Sequence, residues 1–181
     1  MRNNIKSIIS VAIVFVVSAM LLVFVNSKTS VMLQNSASGA DFEENSAVIK
    51  EADAFENVEL PTDEAFSGIQ SVFAAKKGDD IIGYAIKSSV KGFGGDIISL
   101  TGVLANGDIE AFQVLEHTES PGIGERIVEP EFQDQFSNYS GEVALDSDGG
   151  AISALSGATV SSKAAVEAVK LAQNYVLGLN G

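Results

Sequence analysis

Eighteen consecutive residues, Ile8 to Val25, carry no charge, and only the hydroxyls of Ser10 and Ser18 interrupt their apolar character. A run of this length approaches the roughly 20 apolar residues that a helix needs to cross the hydrocarbon core of a bilayer. It exceeds the ~7–15 residues of a signal-peptide core, and the small residues of Ser36 to Ala40 come too late for a good cleavage site. The run is expected to be one uncleaved transmembrane helix, with residues 1–27 forming tail and anchor. Arg2 and Lys6 precede it and Lys28 follows. This bias places the N-terminus in the cytoplasm and the rest of the chain on the far side of the cell (inner) membrane. The 181 residues leave room for one domain beside the anchor.

With Arg2 and Lys6 set aside, the remaining nine Lys and Arg stand against all 24 acids. A domain so acidic repels phosphate backbones, so nucleic acid is excluded as a partner. There is no cysteine and only one histidine. Disulfides, iron–sulfur clusters and multi-histidine metal sites are therefore excluded as well.

Residues 28–64 read as a juxtamembrane linker followed by one amphipathic helix. Its acidic residues, Glu43 to Glu64, face water, and Val48, Ala52 and Phe55 sit at helical spacing. The pattern then changes. Val72 to Lys76, the turn Gly78-Asp79-Asp80 and Ile81 to Ile86 predict a hairpin. Asp96 to Leu104 and Ile109 to Glu116 predict a second one, with Asn106-Gly107 signalling a two-residue turn. Glu129 to Phe136 reads as a short helix or turn. A last helix, capped by Ser161 or Ser162, carries Val166, Val169, Ala172 and Val176 on one face. The fold class is α+β, with antiparallel hairpins flanked by helices and the folded domain spanning 65–181.

Three segments concentrate residues suited to chemistry. Ser156-Gly157-Ala158-Thr159 with Ser161 and Ser162 surrounds a helix N-terminus, where free N–H groups and the helix dipole favour an anion. The same residues also suit a plain serine-rich cap. Glu116 to Arg126 packs His117, Glu119, Ser120, Pro121, Gly122 and Gly124 into one loop at a strand end, as site-lining loops often do. A Ser-His-Asp hydrolase would have to use His117, which equally suits a half-exposed residue bonded locally. Lys91 to Gly95 holds three glycines around Phe93, either to admit a planar ligand or to form an irregular connection with Phe93 in the core.

Taken in order and spacing, Gly92 to Gly95, His117 to Gly124 and Ser156 to Thr159 resemble the FMN-binding domain of the G subunit of the Rnf electron transport complex. The C subunit of sodium-pumping NADH:quinone reductase is similar. The resemblance implies FMN joined through its phosphate to Thr159 by a separate flavin transferase, with no catalytic or metal-binding residue in this chain. It implies an isoalloxazine ring against Glu119, Ser120, Pro121 and Gly122, near Leu155, Phe93 and Gly94, with Ser156, Gly157 and Ala158 completing the attachment segment. It further implies electron transfer among other subunits of an ion-translocating membrane complex. Alternatives are membership of a quinone reductase, a stand-alone extracytoplasmic flavoprotein, or a structural module without flavin. Three positions depart from the family pattern: Ser153 replaces Asp, Ser120 replaces Thr and Phe93 replaces Tyr. The Asp belongs to the pattern that the transferase reads.

Overall fold

The computed structural model describes residues 39–179; the apolar run Ile8–Val25 and its topology lie outside them. Five strands form one antiparallel meander in the order β1-β2-β3-β4-β5. They are β1 (Ala54–Val58), β2 (Ile69–Lys77), β3 (Asp80–Lys91), β4 (Asp96–Leu104) and β5 (Ile109–Glu116). Helix α1 (Gly39–Ser46) precedes the sheet, a short helix α2 (Pro130–Gln133) follows it, and α3 (Thr159–Leu179) ends it. The class is α+β. Among the described residues no helix is long and apolar enough to cross a membrane.

Both hairpins form where alternation and turn glycines place them. Gly78 takes the left-handed conformation at φ 63°, reversing the chain between β2 and β3. The second turn is longer than Asn-Gly implies: four residues, Ala105 to Asp108, separate β4 from β5. Gly107 alone is left-handed there, at φ 91°. Asn106 closes the turn with its side chain, accepting the Asp108 N–H at 3.1 Å and donating to the Asp108 carboxylate at 2.7 Å.

The acidic helix expected over residues 41–64 is corrected. Helix ends at Ser46, and Ala54–Val58 is a strand paired with β2, so the sheet begins ahead of residue 65. Phe55 is buried between exposed Ala54 and Glu56, as on one face of a strand, and coincidentally matches helical spacing with Val48 and Ala52. Pairing overrides that spacing: Asp53 N–H donates to Lys76 O at 2.7 Å, and Gly78 N–H donates to the Asp53 carboxylate at 3.2 Å.

Both faces of the sheet are covered. On one face α3 packs over β3 and β4. It presents Ala165, Val169, Ala172 and Val176 to Val72, Ile86, Val103 and Ile109 in the larger core. Phe132 and Phe136, from α2 and the 3₁₀ turn after it, seal the β5 side of that core, with Phe136 4.9 Å from the Phe112 ring centroid. On the other face, Val48, Ile49 and Ala52 of the α1–β1 connection cover Phe55, Ala75, Ala85 and Leu100. α3 begins at Thr159, so Ser161 and Ser162 lie inside its first turn, buried, and are not its caps.

Phe136 is fully buried and touches two other rings, so truncating it opens a cavity that rigid neighbours cannot fill. Phe136→Ala is expected to cost about 3–5 kcal/mol of stability, measured by urea unfolding of the domain. A cost below about 1 kcal/mol would show that this corner of the core is loosely packed.

Candidate functional site

Strand register brings two of the three segments together. Lys91 pairs with Asp96 and Ile98 with Glu116, so the loop of residues 92–95 and the loop leaving β5 emerge at the same end of the sheet. An irregularity in the β4–β5 pairing at Ile98/Ser99 lies beside them, where bulges commonly re-aim a strand end. The glycines permit the approach. A side chain at Gly94 would collide with the Thr118 carbonyl, and one at Gly92 with the Glu119 carboxylate.

The third segment arrives from the opposite end of the chain. Gln135 grips Ser153, its amide oxygen accepting the Ser153 N–H at 2.7 Å and its amide nitrogen donating to the Ser153 carbonyl at 3.3 Å. Gly157, at φ 80°, then turns the chain into α3. Ser162 Oγ locks this turn, accepting the Leu155 N–H and donating to the Ala158 carbonyl, both at 3.0 Å. The first backbone bond of the helix joins Ser162 N–H to Ala158 O at 2.9 Å. The N–H groups of Thr159, Val160 and Ser161 are left without backbone acceptors, as the first turn of a helix requires.

A cavity of about 340 Å³ opens where the three segments meet. Phe93 forms one side; Ser120, Ile123 and Gly124 form a second; Gly157 to Ser161 form the third. Its size is at the low end of the ~300–1,000 Å³ typical of small-molecule sites, suited to part of a cofactor that stays open to solvent elsewhere. The Phe93 ring is 71% exposed, so it stands at the cavity wall and not in the core. No lysine or arginine lines the cavity. An anion there is met by the free N–H groups and dipole of α3 and by neutral hydroxyls, with no cationic side chain.

Of the residues expected to hold FMN, the structure brings Phe93, Ser120, Gly157, Ala158 and Thr159 to the cavity. Thr159 is exposed at the first position of α3, and its hydroxyl has no hydrogen-bond partner among the described residues. Ser161 and Ser162 are also close to the helix start, but both hydroxyl protons are committed, to Glu119 and to Ala158 O. Others lie elsewhere. Ser156 is exposed and outside the lining, and Leu155 packs against the larger core. Pro121 and Gly122 are exposed outside the lining too, with the Gly122 N–H bonded to Glu125 at 2.6 Å. The Gly94 N–H is turned to Glu119 at 3.0 Å, and Glu119 itself is buried behind the wall. His117 accepts the Glu119 N–H on Nδ1 at 3.2 Å, a local bond that pairs it with no serine hydroxyl.

Sequence reasoning passed over Ile123 and Val160, which are half exposed at the cavity's edge. The signal for both is a branched apolar side chain placed among glycines, serines and threonine in a segment that otherwise avoids large side chains.

Residues 92–174 match the family model described as FMN-binding domain. The chain is 32% identical over 182 aligned positions to the G subunit of the ion-translocating oxidoreductase complex of Methanosarcina acetivorans, covering 97% of this chain and 96% of that one. The chain belongs to the G-subunit family of ion-translocating oxidoreductase complexes. A second member, the G subunit of the proton-translocating ferredoxin:NAD(+) oxidoreductase complex of Clostridium ljungdahlii, is 31% identical over 74% of this chain and 70% of its own length. The crystal structure of Shewanella oneidensis NqrC superposes with a TM-score of 0.48 at 17% identity, over 67% of this chain and 70% of that chain. In this G-subunit domain, all three motif segments fall within or beside the matched residues and meet at the cavity.

The close approach at Gly92 sets a stability test with opposite arms. Gly92→Ala drives a methyl into the Glu119 carboxylate and to 2.8 Å from Ile97, and should cost about 1–3 kcal/mol. Gly178→Ala, late in α3 with open space around it, should be neutral or stabilising by less than about 1 kcal/mol. Thermal denaturation of both variants checks the contrast; equal midpoints would remove the packing argument for the 92–95 loop.

Proposed function

We propose that this chain is a membrane-anchored electron-transfer subunit that carries FMN in phosphoester linkage to Thr159, within an Rnf-type ion-translocating complex outside the cytoplasm. The observation that carries the reading is the unpartnered Thr159 hydroxyl at the cavity wall, at a helix N-terminus whose first N–H groups are free. Membership of the G-subunit family supports the flavin and the partner subunits. The run Ile8–Val25 supports the anchor, with the N-terminus cytoplasmic.

The residues divide the work as follows. Thr159 Oγ1 would be the point of attachment, and its neighbours' N–H groups would donate to the oxygens of the phosphodiester. Gly157 and Ala158 keep side chains out of the approach to the backbone, while Phe93, Ile123 and Val160 would offer apolar surface to a planar ring. FMN, when bound, supplies the redox chemistry, and the protein positions it. With no cationic side chain in the cavity, a phosphate held here only by neutral N–H and hydroxyl groups would exchange with solvent; a covalent bond removes dissociation, which matters where free FMN is scarce. A separate flavin transferase would make that bond. Ser153, at the position where the family has Asp, is tied down by its backbone and leaves its side chain exposed, accessible to such an enzyme.

Intact mass and in-gel fluorescence of the denatured full chain, expressed with a flavin transferase, test the reading. The wild type should be heavier by one FMN less water and fluorescent, and Thr159→Ala neither. A dark, unmodified wild type would overturn the flavin assignment and favour a structural module without cofactor. Phe93 is mostly exposed, so Phe93→Ala should change stability by less than about 0.5 kcal/mol. It should nevertheless alter the visible circular dichroism of the attached flavin; an unaltered spectrum would place the ring away from that wall.

A further inference from the structure

Glu119 is the one acid buried among the described residues, at 6% exposure. No lysine or arginine pairs with it, although burying a carboxylate is costly unless it is paired or fully hydrogen-bonded. Its compensation comes from two donors on different segments. Oε1 accepts the Gly94 N–H at 3.0 Å, and Oε2 accepts the Ser161 hydroxyl. The surroundings are cut to fit it. A Cβ at Gly92 would overlap Oε1, and one at Gly124 would sit 2.8 Å from Oε2. The residue's own N–H is held by His117. It belongs to none of the cavity's walls, yet each bond its carboxylate makes goes to a residue in or next to one.

We propose that Glu119 is the positioning residue of the cavity: its carboxylate ties the 92–95 loop and the first turn of α3 to one point, and so fixes Phe93 relative to Thr159. Gly94 follows Phe93 directly, and Ser161 lies two residues beyond Thr159. The Phe93 ring, being exposed, has little packing to hold it, so its place depends on the backbone of its loop. That loop is held by the Gly92 N–H to Gly95 O bond at 2.7 Å and by Glu119. A carboxylate at the first turn of α3 also complements the helix dipole. Committing the Ser161 proton to Glu119 has a second effect, leaving Thr159 as the free hydroxyl of that turn. Phe93 and Thr159 are matched to a flavin only on the reading proposed above; the tie itself is a property of the chain.

Glu119→Ala, Glu119→Gln and Glu119→Asp in the full chain test this with two readouts. The first is backbone hydrogen exchange of residues 92–95 without flavin. The second, on protein loaded to equal flavin content, is the visible circular dichroism and midpoint potential. Gln keeps the length, an acceptor for Gly94 and a polar atom for Ser161; Asp keeps the charge but falls one methylene short. Exchange at Gly94 should accelerate about tenfold or more in the Ala and Asp variants, as loss of a hydrogen bond to a charged acceptor implies, and Gln should restore most of the protection. The flavin spectrum and potential should shift in the same order. Unchanged exchange in Glu119→Ala overturns the tie. If that variant does not fold, a comparison in which Asp matches the wild type and Gln does not overturns it equally, because charge and not reach would then matter. A wild type without flavin defeats the reading of Thr159 alone, while the exchange data still decide the role of Glu119.

Discussion

The carboxylate of Glu119 sits where three distant stretches of chain converge, and each stretch gives up something to reach it. The β3–β4 loop forgoes side chains at Gly92 and Gly94, the loop after β5 turns its acid inward, and α3 commits the hydroxyl of Ser161. Of these, only Gly92 also makes room for a core side chain, that of Ile97. The packing of α3 against β3 and β4 runs through Ala165, Val169 and Ala172. The polar junction therefore specifies geometry at the end of the sheet, and the apolar core supplies the stability that permits it.

The rest of the architecture delivers those stretches to the junction. Antiparallel register places the β3–β4 loop beside the end of β5. The long return through α2 and the Gln135–Ser153 grip brings the chain back to start α3 at the same place. In this G-subunit domain the cavity then has a division of labour: a helix start that can receive a phosphate, an apolar rim that can receive a ring, and a buried acid behind both.

Much of this was legible in the sequence. Period-two alternation and turn glycines located β2 to β5, because those strands pair with their neighbours and need no distant information. The motifs of the three loops were legible too, since glycines and hydroxyls crowded at strand and helix ends have few other uses. The strand at Ala54–Val58 was not, because Val48, Ala52 and Phe55 satisfy a helical repeat and only the partner strand β2 decides otherwise. Nor was the direction of Glu119. Its motif neighbours Ser120 and Ile123 line the cavity, and the acid points behind them only because Gly92 and Gly124 leave it room. The second hairpin shows a finer version of the same limit: Asn106-Gly107 marks the reversal, but the side-chain bonds to Asp108 set its length.

The order of strands along the sheet equals their order along the chain. Three of the meander's four connections span two to four residues, so most of its pairing is kinetically cheap and can proceed as the chain emerges. The larger core has no such independence, because it needs Val166 to Val176 from the last helix. The cavity is assembled from that same helix, with Thr159 on its first turn. On the reading proposed above, a group attached to Thr159 needs the docked helix, so it would mark a chain that has finished folding.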